Sequence, residues 1–513
     1  MTTIDRRRLL TGGAAAIGGG VLLGTGLGAG AYAAPALLRG RPELTHGVQS
    51  GEVSGDSAVI WTRADRESRM WVELSHRPDF RHARLVRGPR VTAATDFTGK
   101  VHVDGLRAGR TVHYRVWTSD GRRESASATG SLRTSPTRHQ DVRFVWSGDL
   151  AGQGWGINPE LGGFRIFDAM AAVDPDFFLC SGDFNYADGA LAETVALPGG
   201  RTWRNLVIPE KTKVAETLGE YRGQYKYNLL DERLRAFAAA VPMLHQWDDH
   251  EVTNNWYPGE ILEDARYTEK RVDVLAARAR RAFAEFTPNR LSADGEGRIY
   301  RKISHGPLLD VFVLDMRTHK NANDANNDPH TRSGVLGRTQ LDWLKRELRR
   351  STATWKVLAA DLPLGLIVPD GTAQEGLAQG DNGAPLGRER EVAELLSYVN
   401  RADVTGTVWL TADVHYTAAH HYDPSRASFK DFKPFWEFVS GPMNAGAFGP
   451  NVLDGTFGPE ARFVKAPPAA NTSPADGFQF FGEVVISAAT KALTVRLRDL
   501  DGAVLFEVEL PAE

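Results

Sequence analysis

The sequence predicts a mixed α/β protein in which a layered sheet with flanking helices follows a small all-β domain. Three observations predict it. Residues 43–136 are dense in short β-branched and aromatic runs broken by Gly, Asp and Arg turns. From Asp141 onward, strand-like apolar runs alternate with helical patterns, and the C-terminal stretch from Glu483 returns to β. At 513 residues the chain is too long for one ordinary core, so two domains, or one with large insertions, are expected.

The first 33 residues read as a targeting segment. Asp5-Arg6-Arg7-Arg8-Leu9-Leu10 precedes an apolar Gly- and Ala-rich run from Gly12 to Ala29, and Ala31-Tyr32-Ala33 supplies the small residues of a cleavage site. Paired arginines before a weakly apolar core predict a twin-arginine signal, handled by the twin-arginine export machinery. The run is about as long as a membrane span, so an uncleaved anchor is the alternative; its glycines and Pro35 favour cleavage. The mature protein is then expected to be secreted, periplasmic or cell-wall associated, monomeric, and without a membrane span. A single cysteine, Cys180, excludes an intramolecular disulfide, which leaves packing and bound metal to stabilise the fold. Within Phe177-Phe178-Leu179-Cys180 the thiol reads as part of a buried strand, a thiolate ligand being the other reading. With 61 basic against 64 acidic residues and a net charge of -3, no global field attracts nucleic acid, and none is expected to bind.

The elements follow in order. Ser57–Thr62, Met70–Leu74, Lys100–Val103 and Thr111–Trp117 have the length and spacing of a small immunoglobulin-like or fibronectin-like sandwich over residues 43–136, closed by a linker at Thr134-Ser135-Pro136-Thr137. Residues 140–513 form the second region. There Arg143–Trp146 and Phe177–Cys180 bracket a helical pattern from Gly163 to Ala172, a β-α-β unit. Val311–Leu314, Trp355–Ala359 and Thr407–Leu410 repeat the strand signal, with helical patterns at Val272–Phe286, Thr339–Arg350 and Arg388–Val399. Lys320–Arg332 and Gly371–Gly387 are long Asn/Asp/Gly-rich loops, expected to rim a site.

The chemistry concentrates in acid-rich runs directly after these strands: Ser147-Gly148-Asp149, Ser181-Gly182-Asp183 with Tyr186, Trp247-Asp248-Asp249-His250-Glu251, and Thr411-Ala412-Asp413-Val414-His415. Ligands dropped at the carboxyl ends of strands are a common way to assemble a metal site in α/β proteins. Asp149, Asp183, Asp249, Asp413 and His415, with Tyr186 as a phenolate, make a hard, oxygen-rich donor set. Asp183 is the expected bridging carboxylate. His250 could be a ligand or a free imidazole; beside Asp249 it is better used as the acid that protonates a leaving oxygen. Asp248 reads as a structural neighbour. Asp413 and His415, two apart in an extended strand end, are expected to point the same way. Asn254 or Asn255 could donate to a metal or phosphate oxygen, and Arg317 is expected to form an internal ion pair with Asp315, a phosphate clamp being its other reading. His420 and His421 are read as structural. No Walker-type loop, nucleophile elbow or dinucleotide fingerprint is present in the sequence.

On these motifs the chain resembles the alkaline phosphatase D (PhoD-like) family of calcineurin-like metallophosphoesterases. The resemblance runs from His46-Gly47-Val48-Gln49-Ser50-Gly51 through Gly182-Asp183-x-x-Tyr186, Trp247-Asp248-Asp249-His250-Glu251 and Asp413-Val414-His415 in order. It implies a four-layer α/β/β/α domain, hydrolysis of phosphomonoesters or phosphodiesters, and a site built on Fe³⁺ and Ca²⁺. Carried over, Asp183 bridges metals, Tyr186 binds iron, Asp249, Asp413 and His415 are ligands, and His250 faces the phosphate. The first motif departs from the pattern: such members typically carry a cysteine where this chain has Asp149, which opens the site to Mn²⁺ or another hard divalent ion.

The reading that results is an exported metal-dependent phosphoesterase in which a metal-bound hydroxide attacks phosphorus. The alternatives are a phospholipase D-like or teichoic-acid-type phosphodiesterase and a non-catalytic cell-envelope binding protein.

Overall fold

Strands whose alternate residues face two different apolar layers define the architecture. In Val142–Ser147, Phe144 and Trp146 pack inward against a second sheet, while Val145 faces helices on the outside. The computed structural model describes residues 40–291, 297–330 and 334–513, so the predicted signal segment lies outside the described residues. Arg41–Glu513 form one contact unit.

Two sheets stack face to face. The first has the order Val504–Leu510, Leu493–Asp499, Phe480–Ile486, Val142–Ser147, Phe177–Ser181, Met243–Gln246, Leu44–Gly51, Ala58–Ala64, Thr98–Val103. The second has the order Arg301–His305, Leu309–Val313, Trp355–Ala359, Thr407–Thr411, Phe435–Val439, Thr417–Tyr422, Pro459–Lys465. Phe144, Trp146, Leu179 and Leu244 of one meet Val311, Val357, Leu410 and Phe438 of the other in a dry inner layer. Central strands of each sheet are parallel and buried on both faces, which explains their unbroken apolar runs.

Helices close both outer faces. Leu218–Asn228 starts at a capping box, Thr217 accepting from the Glu220 amide while Glu220 accepts from the Thr217 amide. It packs with Ile166–Ala172, Glu232–Ala240 and Val272–Phe286 on the first sheet. On the second lie Gly337–Arg350, burying Gln340, Leu341, Leu344 and Leu348 at helical spacing, and Glu389–Arg401. The result is the α/β/β/α layering expected from the resemblance. Among the described residues no helix is long and apolar enough to cross a membrane.

The N-terminal region forms a sandwich with one unexpected property. A four-stranded sheet, Arg84–Val91, Ser68–Ser75, Thr111–Ser119, Ala128–Arg133, faces the strands Leu44–Gly51, Ala58–Ala64 and Thr98–Val103 across a core of Val48, Ile60, Met70, Val72 and Val116. Those facing strands also continue the large first sheet: Gly51 pairs in parallel with Met243. Trp61 crosses the junction, its indole N–H donating to the Glu285 carbonyl at 2.8 Å.

Candidate metal centre

Parallel order brings the carboxyl ends of Val142–Ser147, Phe177–Ser181 and Met243–Gln246 side by side, and the stacked second sheet brings up Leu309–Val313, Trp355–Ala359 and Thr407–Thr411. Their following loops converge. The Leu150 amide donates to the Asp183 carbonyl at 2.8 Å, and the Trp146 indole reaches the Thr411 carbonyl at 3.3 Å. Several residues here hold left-handed backbone: Asp149, Asp183, Asn255, Asp413 and His415 have φ of 66°, 48°, 56°, 67° and 60°. Such conformations are costly outside glycine and concentrate where a fold positions chemistry.

Three donor groups overlap. Asp149, Asp183 and His415 form the first, Asp183, Asp249 and His250 the second, and Asp248, Asp249 and Asp413 the third, with ligand atoms in each group within 4.8 Å of one another. Asp183 belongs to two groups, as does Asp249. The Tyr186 hydroxyl lies 2.8 Å from His415 Nε2, and its ring packs on His250 with centroids 4.1 Å apart. Burial, then the nearby carboxylates, push the Asp149 and Asp183 carboxyls and the Tyr186 phenol well above their usual ranges.

Asp413 and His415 do not point the same way, because the strand ends at Thr411 and both residues adopt positive φ rather than extended backbone. His415 turns to the first group, where its Nδ1 faces the Gly446 carbonyl and leaves Nε2 toward the donors. Burial lowers its pKa to about 4, so the ring is neutral. Asp413 turns to the third group. Asp248 is more than a neighbour: it stands in that group, paired with Arg317.

Arg317 does not form the expected side-chain pair with Asp315, which instead accepts from the Trp247 indole at 3.0 Å and from Thr318. The fully buried guanidinium reaches Asp248, Asp361, Glu375 and Asp413. Asn254 and Asn255 contribute backbone: the Asn254 amide donates to Asp188 at 3.0 Å, the Asn255 amide to Asp249. The Asn254 side chain is exposed. Cys180 packs on the helix-facing side of its strand, donating to the Gly182 carbonyl at 3.6 Å, as the buried-strand reading expects.

His250 is the charged member. Its Nδ1 lies 2.8 Å from Asp188 Oδ1 and its Nε2 3.9 Å from Asp249. Burial opposes the charge, but Asp188 and Asp249 outweigh it and raise the pKa to about 9. Asp188 carries no distinguishing pattern in the sequence, being an isolated Asp two residues after Tyr186. Glu251, in the same acid-rich run as His250, accepts from the amides of Asp183, Phe184 and Asp248 and so ties two ligand loops together. Asp361 follows Trp355–Ala359 as the other acids follow their strands, a signal that was there to find.

The residues fit bound cations. Both oxygens of Asp149, and one each of Asp248, Asp249, Asp361 and Glu375, are buried without a hydrogen-bond partner. Arg317 offsets part of the charge on Asp248, Asp249, Asp361 and Glu375 but does not reach Asp149. A buried carboxylate costs several kcal/mol unless it is paired or protonated, so bound cations would stabilise the ionised cluster. Oxygen and imidazole donors suit hard or borderline ions.

Stacked sheets, helices outside them and this donor cluster define a metallophosphoesterase fold, and the protein is a phosphoric ester hydrolase. The chain belongs to the PhoD-like phosphatase family, whose model matches residues 144–497, while the model of that family's N-terminal domain matches residues 31–136. Alkaline phosphatase D of Bacillus subtilis (strain 168) is 29% identical over 476 residues, spanning 87% of this chain and 77% of that protein. A solved structure of PhoD superposes with a TM-score of 0.69 at 21% identity, covering 91% of this chain and 89% of its own. A purple acid phosphatase from yellow lupin (Lupinus luteus) seeds shares the fold with a TM-score of 0.53 at 14% identity, over 92% and 74% of the two chains.

Proposed function

We propose that this phosphatase is exported and hydrolyses phosphomonoesters, phosphodiesters or both at a polynuclear metal centre. The observation that carries this reading is the sharing of Asp183 and Asp249 among overlapping donor groups. Asp149, Asp183, Tyr186 and His415 would hold one ion, with Asp249 and Asp413 contributing to its neighbours. When bound, the ions supply charge neutralisation on the phosphoryl oxygens and a water acidic enough to act as nucleophile at neutral pH. His250, kept protonated by Asp188, faces the phosphoryl group and donates to the leaving oxygen. The orphaned oxygens of Asp149 support a harder ion complement than a thiolate would select: Ca²⁺ with Fe³⁺ on Tyr186, or Mn²⁺.

Elemental analysis with turnover of mono- and bis-p-nitrophenyl phosphate tests this. Asp183→Ala should lose metal and turnover together; full activity without metal would refute the reading. Asp149→Cys should raise the iron share, and an unchanged metal content would remove Asp149 from the ligand set. Export rests on Arg6 to Arg8 and the apolar run that follows. Replacing these arginines by lysine should trap the protein in the cytoplasm.

A further inference from the structure

The outward face of the N-terminal four-stranded sheet carries an aromatic pair that the catalytic region does not use. Trp71 of Ser68–Ser75 and Trp117 of Thr111–Ser119 are direct cross-strand partners, with centroids 6.5 Å apart and planes at 14°. Their strands alternate cleanly: Met70, Val72, Val112 and Val116 fill the sandwich core, while both tryptophans lie on the other side, half-buried. A solvated sheet face is ordinarily polar. A cross-strand aromatic pair does stabilise a sheet, yet that role calls for no charge around it.

Arginines surround the pair. Arg87 is the register partner of Trp71 across the other edge, and on the adjoining rung Arg69 pairs with Arg90. Burial and the charges of Arg87 and Arg90 lower the Arg69 pKa, placing these cations near one another. Beyond Trp71, Glu73 and Arg115 neutralise each other. Arg90 comes within 3.8 Å of Glu67, both largely exposed. Arg69 spends one N–H on the Gly88 carbonyl, and no carboxylate is paired with Arg69 or Arg87 among the described residues. The Trp117 indole N–H is turned away from solvent and has no acceptor among the described residues, so it is the ring that the face exposes rather than the donor. Local positive charge thus borders flat apolar rings on a chain whose overall charge is -3.

We propose that this face binds an anionic glycopolymer, a polymeric phosphodiester that carries pendant sugar rings, with a sugar ring on the tryptophans and phosphates on Arg69 and Arg87. Aromatic faces take the C–H face of a sugar ring, and guanidinium pairs with phosphate in a fork. Such a ligand combines both features of the surface. A neutral glycan leaves the arginines unused, and a bare polyphosphate leaves the rings unused. The proposal rests on the sheet face alone and not on the reading of the metal centre. Together, the two would make the sandwich an anchor that holds a polymeric phosphodiester near the hydrolytic site.

Calorimetric titration of the full chain tests it without requiring turnover, using glucosylated polyglycerol phosphate, the same polymer stripped of glucose, dextran, and single-stranded DNA as probes. The glucosylated polymer should bind tightest. Arg87→Glu, at an exposed position, and Trp71→Ala should each weaken it roughly tenfold or more. Thermal midpoints near wild type establish that the variants fold, and Trp71→Phe, which keeps an aromatic ring, should restore much of the affinity. Equal affinity for stripped and glucosylated polymer would overturn the role of the rings. Equal or tighter binding of DNA, unchanged affinity in both variants, or no binding at all would overturn the proposal.

Discussion

An imidazole surrounded by carboxylates stays protonated only as long as those neighbours keep their charge, and this dependence makes His250 testable. With Asp188 at 2.8 Å and Asp249 at 3.9 Å its pKa stands at about 9, so it holds a proton throughout the neutral range. A group that acts as an acid works below its pKa, and its contribution is lost as pH rises through that value. Replacing Asp188 by Asn removes the nearest and strongest charge that raises it, so the alkaline limb of the kcat profile should move to lower pH while KM changes little. His250→Gln should reduce kcat by roughly 10² to 10⁴ on alkyl phosphates. The loss should be much smaller on p-nitrophenyl phosphate, whose leaving group needs no proton. Equal losses on both substrates would assign His250 to binding or metal retention instead.

At the scale of elements, the site depends on glycines that let loops approach it. A Cβ on Gly441 would stand 2.1 Å from Asp149 Oδ2, and one on Gly152 would stand 2.4 Å from the Tyr186 ring. Gly441→Ala and Gly152→Ala should therefore lower metal content and turnover several-fold while the far-ultraviolet circular dichroism stays native. How much was legible in the sequence follows the same division. Buried parallel strands such as Trp355–Ala359 and Thr407–Thr411 announce themselves as apolar runs, and Val272–Phe286 as an amphipathic period. Leu218–Asn228 went unpredicted because it buries Tyr225, Gln224, Tyr227 and Asn228 rather than an aliphatic stripe. The ligand acids were visible because each directly follows a strand. Asp188 and Glu375 were not, since they reach the site through loop paths that no local period encodes. The divergence of Asp413 and His415 was equally hidden, because it arises from left-handed backbone beyond the strand.

Over the whole molecule, acid should be the weak point. His46 and His245 are buried and neutral, their pKa values lowered from 6.5 to about 3 by burial and then by Arg63 and Arg301, respectively. Once unfolded, both imidazoles take up protons below about 6.5, so the unfolded state binds more protons between these limits. Stability is then complete above the unfolded value and falls as pH drops, by up to about 1.4 kcal/mol per unit for each ring. Urea midpoints measured between pH 7.5 and 5 should show this decline, and His46→Gln should make it shallower; an unchanged slope would exclude His46 as a source. His46 lies in the strand Leu44–Gly51, whose last residue is where the N-terminal sandwich joins the catalytic sheet. A Cβ there would lie 2.5 Å from the Met243 carbonyl oxygen and 2.6 Å from that of Pro288. The two family models divide this chain between residues 136 and 144, yet the sheet runs through that division without a border. Cutting the chain there would strip Met243–Gln246 of a neighbour and leave a bare, wholly buried-type strand as a sticky rim. A graft that exchanges one region for that of a relative should therefore fold only when both sides of this joint are carried over together.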